Sequence, residues 1–388
     1  MEKEPEAESS SLGCILSGTW TLLSLPFWLG AAGLLAVSTT SASRFFAIAL
    51  ICLLPLPLNF LHWHKLSRKI TTGLLFLVAL GAFLLCARQA PGHNDNPEAS
   101  ARVTYENKSG HSRYSLANLI PEVDQSILGS YILGAIDPNL NWSRSAVVRR
   151  SIREIYDGLR GDPDLASLPS TLGSSYRDML GFKPRAGGLF IYIPQEPGSG
   201  PGPLQKKPAI VFLHGQLGNL QACWALWKRI ADTTGTAIVA PTFGAGSWSQ
   251  EGGPGAIAQA REFCVNNPQI DPDKLILAGL SDGGAGVLRE AGAHPGKWQR
   301  LLLLSPVIEQ HTLESDTFAR GWSERRALII TGERDKRATA DHVRRAETSM
   351  KKIKMEVESH YLADGDQFLI YTGWPALEEI ISQWLADD

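Results

Sequence analysis

Cysteine is scarce in this chain and badly placed for chemistry. The five cysteines, at 14, 52, 86, 223 and 264, form no C-x-x-C and no Cys/His spacing suited to zinc. Charge of one sign is also missing. The formal net charge is -2 and the pI is near 6.5, so there is no electrostatic case for nucleic acid. No G-x-x-x-x-G-K-[ST] occurs. The glycines at 244, 246, 252, 253 and 255 therefore read as a flexible loop rimming a pocket, not as a phosphate cradle, with Trp248 either lining that pocket or packing. No metal and no cofactor is implied. The last shortage is local: residues 12–43 contain no charged side chain at all.

That uncharged stretch opens a membrane region. Apolar runs cover 20–37, 45–61 and 70–87. A helix needs about 20 such residues to cross a bilayer, with a range of about 17–25. Pro55 and Pro57 would kink the second run and free backbone groups. Three runs in series argue against a cleavable signal peptide. Between runs two and three stand His62, His64, Lys65, Arg68 and Lys69, whereas the first loop offers only Arg44. The positive-inside rule then puts the Lys65 loop in the cytoplasm and the chain after 87 outside. A re-entrant second run would reverse this. No Asp, Glu, Lys, Arg or His lies within the runs, so the region reads as a multi-pass tether and not as a transport path.

Residues 89–115 read as a polar linker and 116–187 as a helical lead-in packing on the main domain. Asn107-Lys108-Ser109 and Asn141-Trp142-Ser143 match the glycan acceptor pattern. Val147, Val148, Ile152, Ile155, Tyr156 and Leu159 recur at helical spacing, with Asn141 or Ser143 as cap. Arg144, Arg149, Arg150 and Arg153 lie around the other side, as a solvated face or one turned to a membrane or anionic partner. A second short helix is expected over 171–180.

From 188 onwards short apolar strands alternate with helices. Strands are expected at 189–193, 209–213, 237–240, 275–278, 301–304, 327–330 and 355–357, and helices after 220, at 256–265 and at 375–385. The pattern predicts an α/β domain with a mostly parallel sheet covered on both faces. Cys223 and Cys264 fall on helices of opposite faces, so both are expected as buried thiols. At the end of one strand stands Gly279-Leu280-Ser281-Asp282-Gly283, a G-x-S-x-G. A sharp strand-to-helix turn of this kind exposes a serine hydroxyl at the sheet end and requires small neighbours. Chance also produces this pattern in a glycine-rich chain; the preceding strand and the small residues after it add weight.

Four places carry a resemblance: His214-Gly215 after a strand, Ser281 in its turn, Asp335 in Thr331-Gly332-Glu333-Arg334-Asp335, and Ala363-Asp364-Gly365-Asp366-Gln367-Phe368 near the end. Together they resemble the alpha/beta-hydrolase fold, and within it the dienelactone-hydrolase and prolyl-oligopeptidase-like catalytic domains. The resemblance implies Ser281 as nucleophile and Asp335 as the acid of a triad. It implies His214 and Gly215 as the oxyanion loop, and the N–H groups of Gln216 and Asp282 as the oxyanion hole. Gln367 stands where that family has its histidine, and an amide cannot take a proton. His311 and His360 are the alternative bases, or else a surface and a packed histidine. His342 is expected on a helix surface. The implied activity is a membrane-anchored serine hydrolase acting on a small-molecule ester, in preference to a peptide or amide. A catalytically degenerate binding or scaffold module and acyl transfer to another acceptor are the other readings.

Overall fold

The computed structural model describes residues 6–60, 66–89, 99–104, 119–137, 140–165, 188–195, 205–216, 218, 220–243 and 246–387. The expected helix at 171–180, the acceptor at Asn107, and His62, His64 and Lys65 lie outside them. The chain divides into two units, Met1–Ala90 with Leu119–Ile132, and Pro91–Asn118 with Leu133–Asp388.

The first unit holds α1 (Glu6–Val37), α2 (Ser41–Leu53), α3 (Leu56–Phe60) and α4 (Leu66–Arg88), and α5 (Glu122–Ile136) begins in it. Gly13–Val37, Ser41–Asn59 and Leu66–Arg88 are each long and apolar enough to cross a membrane. The second run is broken between α2 and α3 at Pro55, as a residue without an N–H requires. At that break the Trp20 indole donates to Leu54 O at 2.8 Å. Polarity in this unit is inverted relative to a water-soluble bundle. Small residues such as Ala47, Ala49, Ala79 and Ala82 are buried, while Leu22, Leu23, Phe27, Phe76 and Leu77 face outwards. Small residues between helices with large apolar side chains around them suit lipid as solvent. The turn between α1 and α2 is held by the fully buried Asp124, which accepts from Thr39 N (2.6 Å), Thr39 Oγ1 (2.9 Å), Thr40 N (3.2 Å) and Thr40 Oγ1.

The second unit is built on one eight-stranded sheet. Its strands are β1 (Ala101–Thr104), β2 (Leu189–Tyr192), β3 (Lys207–Leu213), β4 (Ala237–Pro241), β5 (Ile270–Leu280), β6 (Arg300–Leu304), β7 (Arg326–Gly332) and β8 (Glu356–Leu362), in the order β1-β2-β4-β3-β5-β6-β7-β8. β2 pairs antiparallel with β1 and β4, and every other pairing is parallel. This is an α/β fold with the strand order of an alpha/beta hydrolase. β1 lies within the stretch read from sequence as linker. Its four residues include Arg102 and make a strand only because β2 offers an edge.

The central strands are apolar on both faces, as a sheet buried on both sides requires. α8 (Gly253–Asn266), α9 (Asp282–Ala293) and α12 (Ala340–Lys352) cover one face, with Ile257, Cys264, Val287 and Val343 in its core. α7 (Gln221–Thr234) and α14 (Trp374–Ala386) cover the other, with Cys223, Trp224, Trp227, Ile381 and Trp384. The two soluble cysteines thus lie on opposite faces, both free and buried. α6 (Trp142–Gly161) starts at Asn141, whose side chain accepts from Arg144 N at 2.8 Å. It buries Val148, Ile152, Ile155 and Tyr156. The remaining helices, α10 (Gln310–Leu313), α11 (Asp316–Trp322) and α13 (Leu369–Thr372), are short. The parallel strands β3, β5, β6, β7 and β8 all end at one edge, where His214, Ser281, Ser305, Asp335 and Gln367 follow them.

Candidate active site

Ser281 stands between β5 and α9 with φ 53° and ψ −117°. A residue with a Cβ avoids this region, and holding it there costs about 1–3 kcal/mol. Three backbone bonds hold it: Ser281 N–H to Leu304 O at 2.9 Å, and the N–H groups of Gly284 and Val307 to Ser281 O, each at 2.8 Å. The glycines of the motif are required by close approach. A Cβ on Gly279 would lie 2.4 Å from Gly283 C, and one on Gly283 would lie 2.1 Å from Leu213 O. Ser281 itself is half-buried. Its hydroxyl makes no hydrogen bond among the described residues.

His214 is fully buried, and both ring nitrogens are occupied. Nδ1 donates to Gly215 O at 2.8 Å and Nε2 accepts from Phe243 N–H at 3.0 Å. Burial pushes its pKa down to about 4, so the ring is neutral at pH 7. His214 O accepts from the Trp248 indole at 2.8 Å, and Trp248 N–H donates to Asp282 Oδ2 at 3.0 Å. The rings of His214 and Trp248 are 4.9 Å apart. His214 therefore pins the β3 loop to the β4 loop and to the first turn of α9. Of the two readings of Trp248 the structure has the packed one, at 1% exposure. Gly244 lies outside the described residues, and Gly246 N–H donates to Gln216 O at 2.8 Å. The N–H groups of Gln216 and Asp282 meet no backbone acceptor among the described residues.

Asp335 is 3% exposed. Its Oδ1 accepts from the N–H groups of Arg337 and Ala338, each at 2.9 Å. Burial pushes the carboxyl above the usual carboxylate range, those two donors and the Ser305 hydroxyl pull it back, and the charge of Asp366 adds to the rise. Ser305, with φ 37°, is buried beside this carboxyl. The Ser305 hydroxyl has no hydrogen bond of good geometry among the described residues.

The loops after β7 and β8 dock together through glycine. A Cβ on Gly332 would lie 2.3 Å from Gly365 C, and Arg334 N–H donates to Gly365 O at 2.9 Å. Gln367 thus comes to the Asp335 edge, but its amide turns to Asp137, donating to Oδ2 at 3.4 Å. The neighbouring Asp366 pairs with Arg144 Nε at 2.7 Å, and Arg144 also donates to Thr372 Oγ1 at 3.0 Å. His360 sits inside β8 opposite Ile330 and pairs with Glu358 at 2.7 Å. His311 is on α10, with its side chain 77% exposed and Glu309 3.8 Å away. His342 bonds Thr339 at 3.2 Å on α12. None of these rings is hydrogen-bonded to Ser281 or Asp335. Sequence reasoning missed Ser305, Asp137 and the role of Arg144. Only Ser305 had a local signal, a Ser-Pro turn directly after a strand.

Among the described residues no cluster of His, Cys, Asp or Glu suits a metal ion. No protein-family model matches the chain, and no curated protein matches it. Solved structures do resemble part of it. A thermostable esterase is 18% identical over 52% of this chain and 58% of its own, with a TM-score of 0.42. Esterase 2 of Thermogutta terrifontis, phosphoramylated by tabun, is 15% identical over 52% and 89%, also at 0.42. The fluorophosphonate-binding serine hydrolase F of Staphylococcus aureus is 16% identical over 53% and 94%, at 0.42. The chain spans little more than half the length of the first of these. Likeness at this level assigns no role to any residue, and the fold rests on the strand order itself.

Proposed function

We propose that this chain is a membrane-anchored serine hydrolase of alpha/beta-hydrolase type that cleaves an ester. The observation that carries the reading is Ser281: a strained backbone at a strand-to-helix turn, three bonds holding it, and a hydroxyl with no partner among the described residues. Its Oγ would attack the acyl carbon. The negative charge that develops on the carbonyl oxygen would meet the N–H groups of Gln216 and Asp282, the second at the positive end of α9. Asp335 would orient and stabilise a base standing between it and Ser281. His214 would shape the turn that presents Gln216, since its occupied, neutral ring leaves no nitrogen for proton transfer. Its motifs resemble those of the dienelactone-hydrolase and prolyl-oligopeptidase-like domains, save for Gln367 in the histidine position. The three apolar helices would anchor it, and Arg68 and Lys69 in the first turn of α4 support an extracytoplasmic hydrolase domain.

A second reading has its own support. Gln367 turns away to Asp137, as expected of a site that has lost its base and binds without turnover. One experiment separates the two. The full chain, in detergent, is treated with a fluorophosphonate probe and its intact mass read beside Ser281→Ala. A mass gain of one probe in the parent and none in the variant supports the hydrolase. No adduct on folded protein refutes it and leaves the binding module.

A further inference from the structure

Two polar groups at this edge, the Ser281 hydroxyl and the Asp335 carboxyl, are arranged for a partner that the described residues do not supply. The Ser281 hydroxyl is unpaired. Ser305, 4% exposed, has its hydroxyl beside the Asp335 carboxyl, which it helps to keep ionised. Asp335 spends Oδ1 on two backbone donors, while Oδ2 has no hydrogen bond of good geometry among the described residues. Their order along the edge is set by backbone bonds. Ser281 N–H to Leu304 O and Val307 N–H to Ser281 O bracket Ser305, and Ser305 N–H to Ile330 O ties it to β7. Ser281 follows β5 and Asp335 follows β7, two strands away. At about 4.8 Å per strand that is roughly 10 Å of backbone separation, too far for the two side chains to bond directly and enough for one five-membered ring between them. Gln367, the side chain in the position to supply that group, is neutral and committed to Asp137.

We propose that the substrate brings the base: the preferred substrates are esters whose acyl part carries a weakly basic heterocycle of imidazole type, seated between Ser281 and Asp335. This rests on the hydrolase reading above. One ring nitrogen takes the Ser281 hydroxyl proton as Oγ bonds to the acyl carbon, and the carbonyl electron pair moves to oxygen. The other ring N–H donates to Asp335 Oδ2, a charge-assisted bond once the ring is protonated. Collapse restores the carbonyl and breaks the bond to the alcohol oxygen, which leaves with the ring's proton. The acyl-enzyme still holds the ring, because the ring is on the acyl side. It next takes a proton from water while the water oxygen attacks. The bond to Oγ breaks, the proton returns to Oγ, and the acid is released. The sum is ester plus water to acid plus alcohol. A ring on the alcohol side would depart after the first half and leave the acyl-enzyme stranded.

The test uses the full chain in detergent with ethyl imidazolylpropanoate, ethyl phenylpropanoate and the acetate ester of imidazolylethanol, products being read by mass spectrometry. The expected result is a kcat/KM about 100-fold or more higher for the imidazolyl acyl ester than for the phenyl one, the usual worth of a positioned base. That turnover is lost in Ser281→Ala and in Asp335→Asn. The acetate ester acylates Ser281 once and stops. Gln367→His gains turnover of the phenyl ester. Equal turnover of both ethyl esters by the parent overturns the inference and leaves the hydrolase standing. So does turnover of the phenyl ester by Gln367→His when the parent cleaves neither. If neither protein cleaves any ester, the hydrolase reading falls with it.

Discussion

His214 contributes its own loss of stability to the sheet unit in acid, by an amount that follows from its burial. The folded ring has a pKa of about 4, against about 6.5 for an unperturbed histidine. The sign is fixed by which state takes the proton. Below pH 6.5 the unfolded chain protonates this ring and the folded chain does not. Stability is therefore complete above pH 6.5, falls as pH drops, and stops falling near pH 4, where both states are charged. At about 1.4 kcal/mol per pH unit, the loss across that window is about 3 kcal/mol. The assay is urea unfolding of the full chain in detergent at a series of pH values, followed by the fluorescence of Trp224, Trp227, Trp248, Trp322 and Trp384, all buried in this unit. Because carboxylates titrate in the same range, the quantity that counts is the difference between parent and His214→Gln. Glutamine keeps a donor and an acceptor but does not titrate. The parent should lose about 3 kcal/mol more than the variant between pH 7 and pH 4. Parallel pH profiles for the two proteins would refute the pinned, neutral His214.

Two further predictions test the geometry of the turn and of the last loop. Gly283→Ala forces a Cβ to within 2.1 Å of Leu213 O. The backbone must shift, and we expect a loss of about 1–3 kcal/mol in the same unfolding assay together with loss of fluorophosphonate labelling at Ser281. Arg144→Gln removes the partner of Asp366, whose side chain is 14% exposed. The expected cost is about 1–2 kcal/mol, with slower labelling of Ser281 because the Gly365–Gln367 loop is no longer held. An unchanged melting point would mean that the pair is a screened surface contact.

The sheet was legible because its central strands are uninterrupted apolar runs. Strands at 209–213, 275–278, 301–304 and 327–330 are buried on both faces, and that leaves a composition signal no loop imitates. β1 carried no such signal, since four residues with an arginine become a strand only by pairing with β2. The turn at Ser281 was legible for a different reason. Gly279 is demanded by its close approach to Gly283 four residues on, a constraint written locally, while Gly283 is demanded by the Leu213 carbonyl at the end of the neighbouring strand. What was not legible is long-range. Asp137 meets Gln367 across 230 positions, and Arg144 meets Asp366 across 222. Nothing in the local pattern of either partner announces the other. Trp248 could be read either way, because an aromatic in a glycine-rich loop packs or lines a pocket according to what faces it. Here it faces a buried histidine ring.

The positive φ of Ser281 also bears on how such a chain drifts. A glycine at 281 would adopt the same backbone without strain, and relief of even part of about 1–3 kcal/mol is a gain that random substitution finds readily. The serine is thus uphill of its nearest neighbour in sequence space. Left without selection for its hydroxyl, the position would slide towards glycine within the same fold. A lineage can keep Ser281 only while the oxygen is used, whether to attack an acyl carbon or to hold a ligand. Surveying which residue occupies this one position in related chains would separate lineages that still use the site from those that keep only the scaffold.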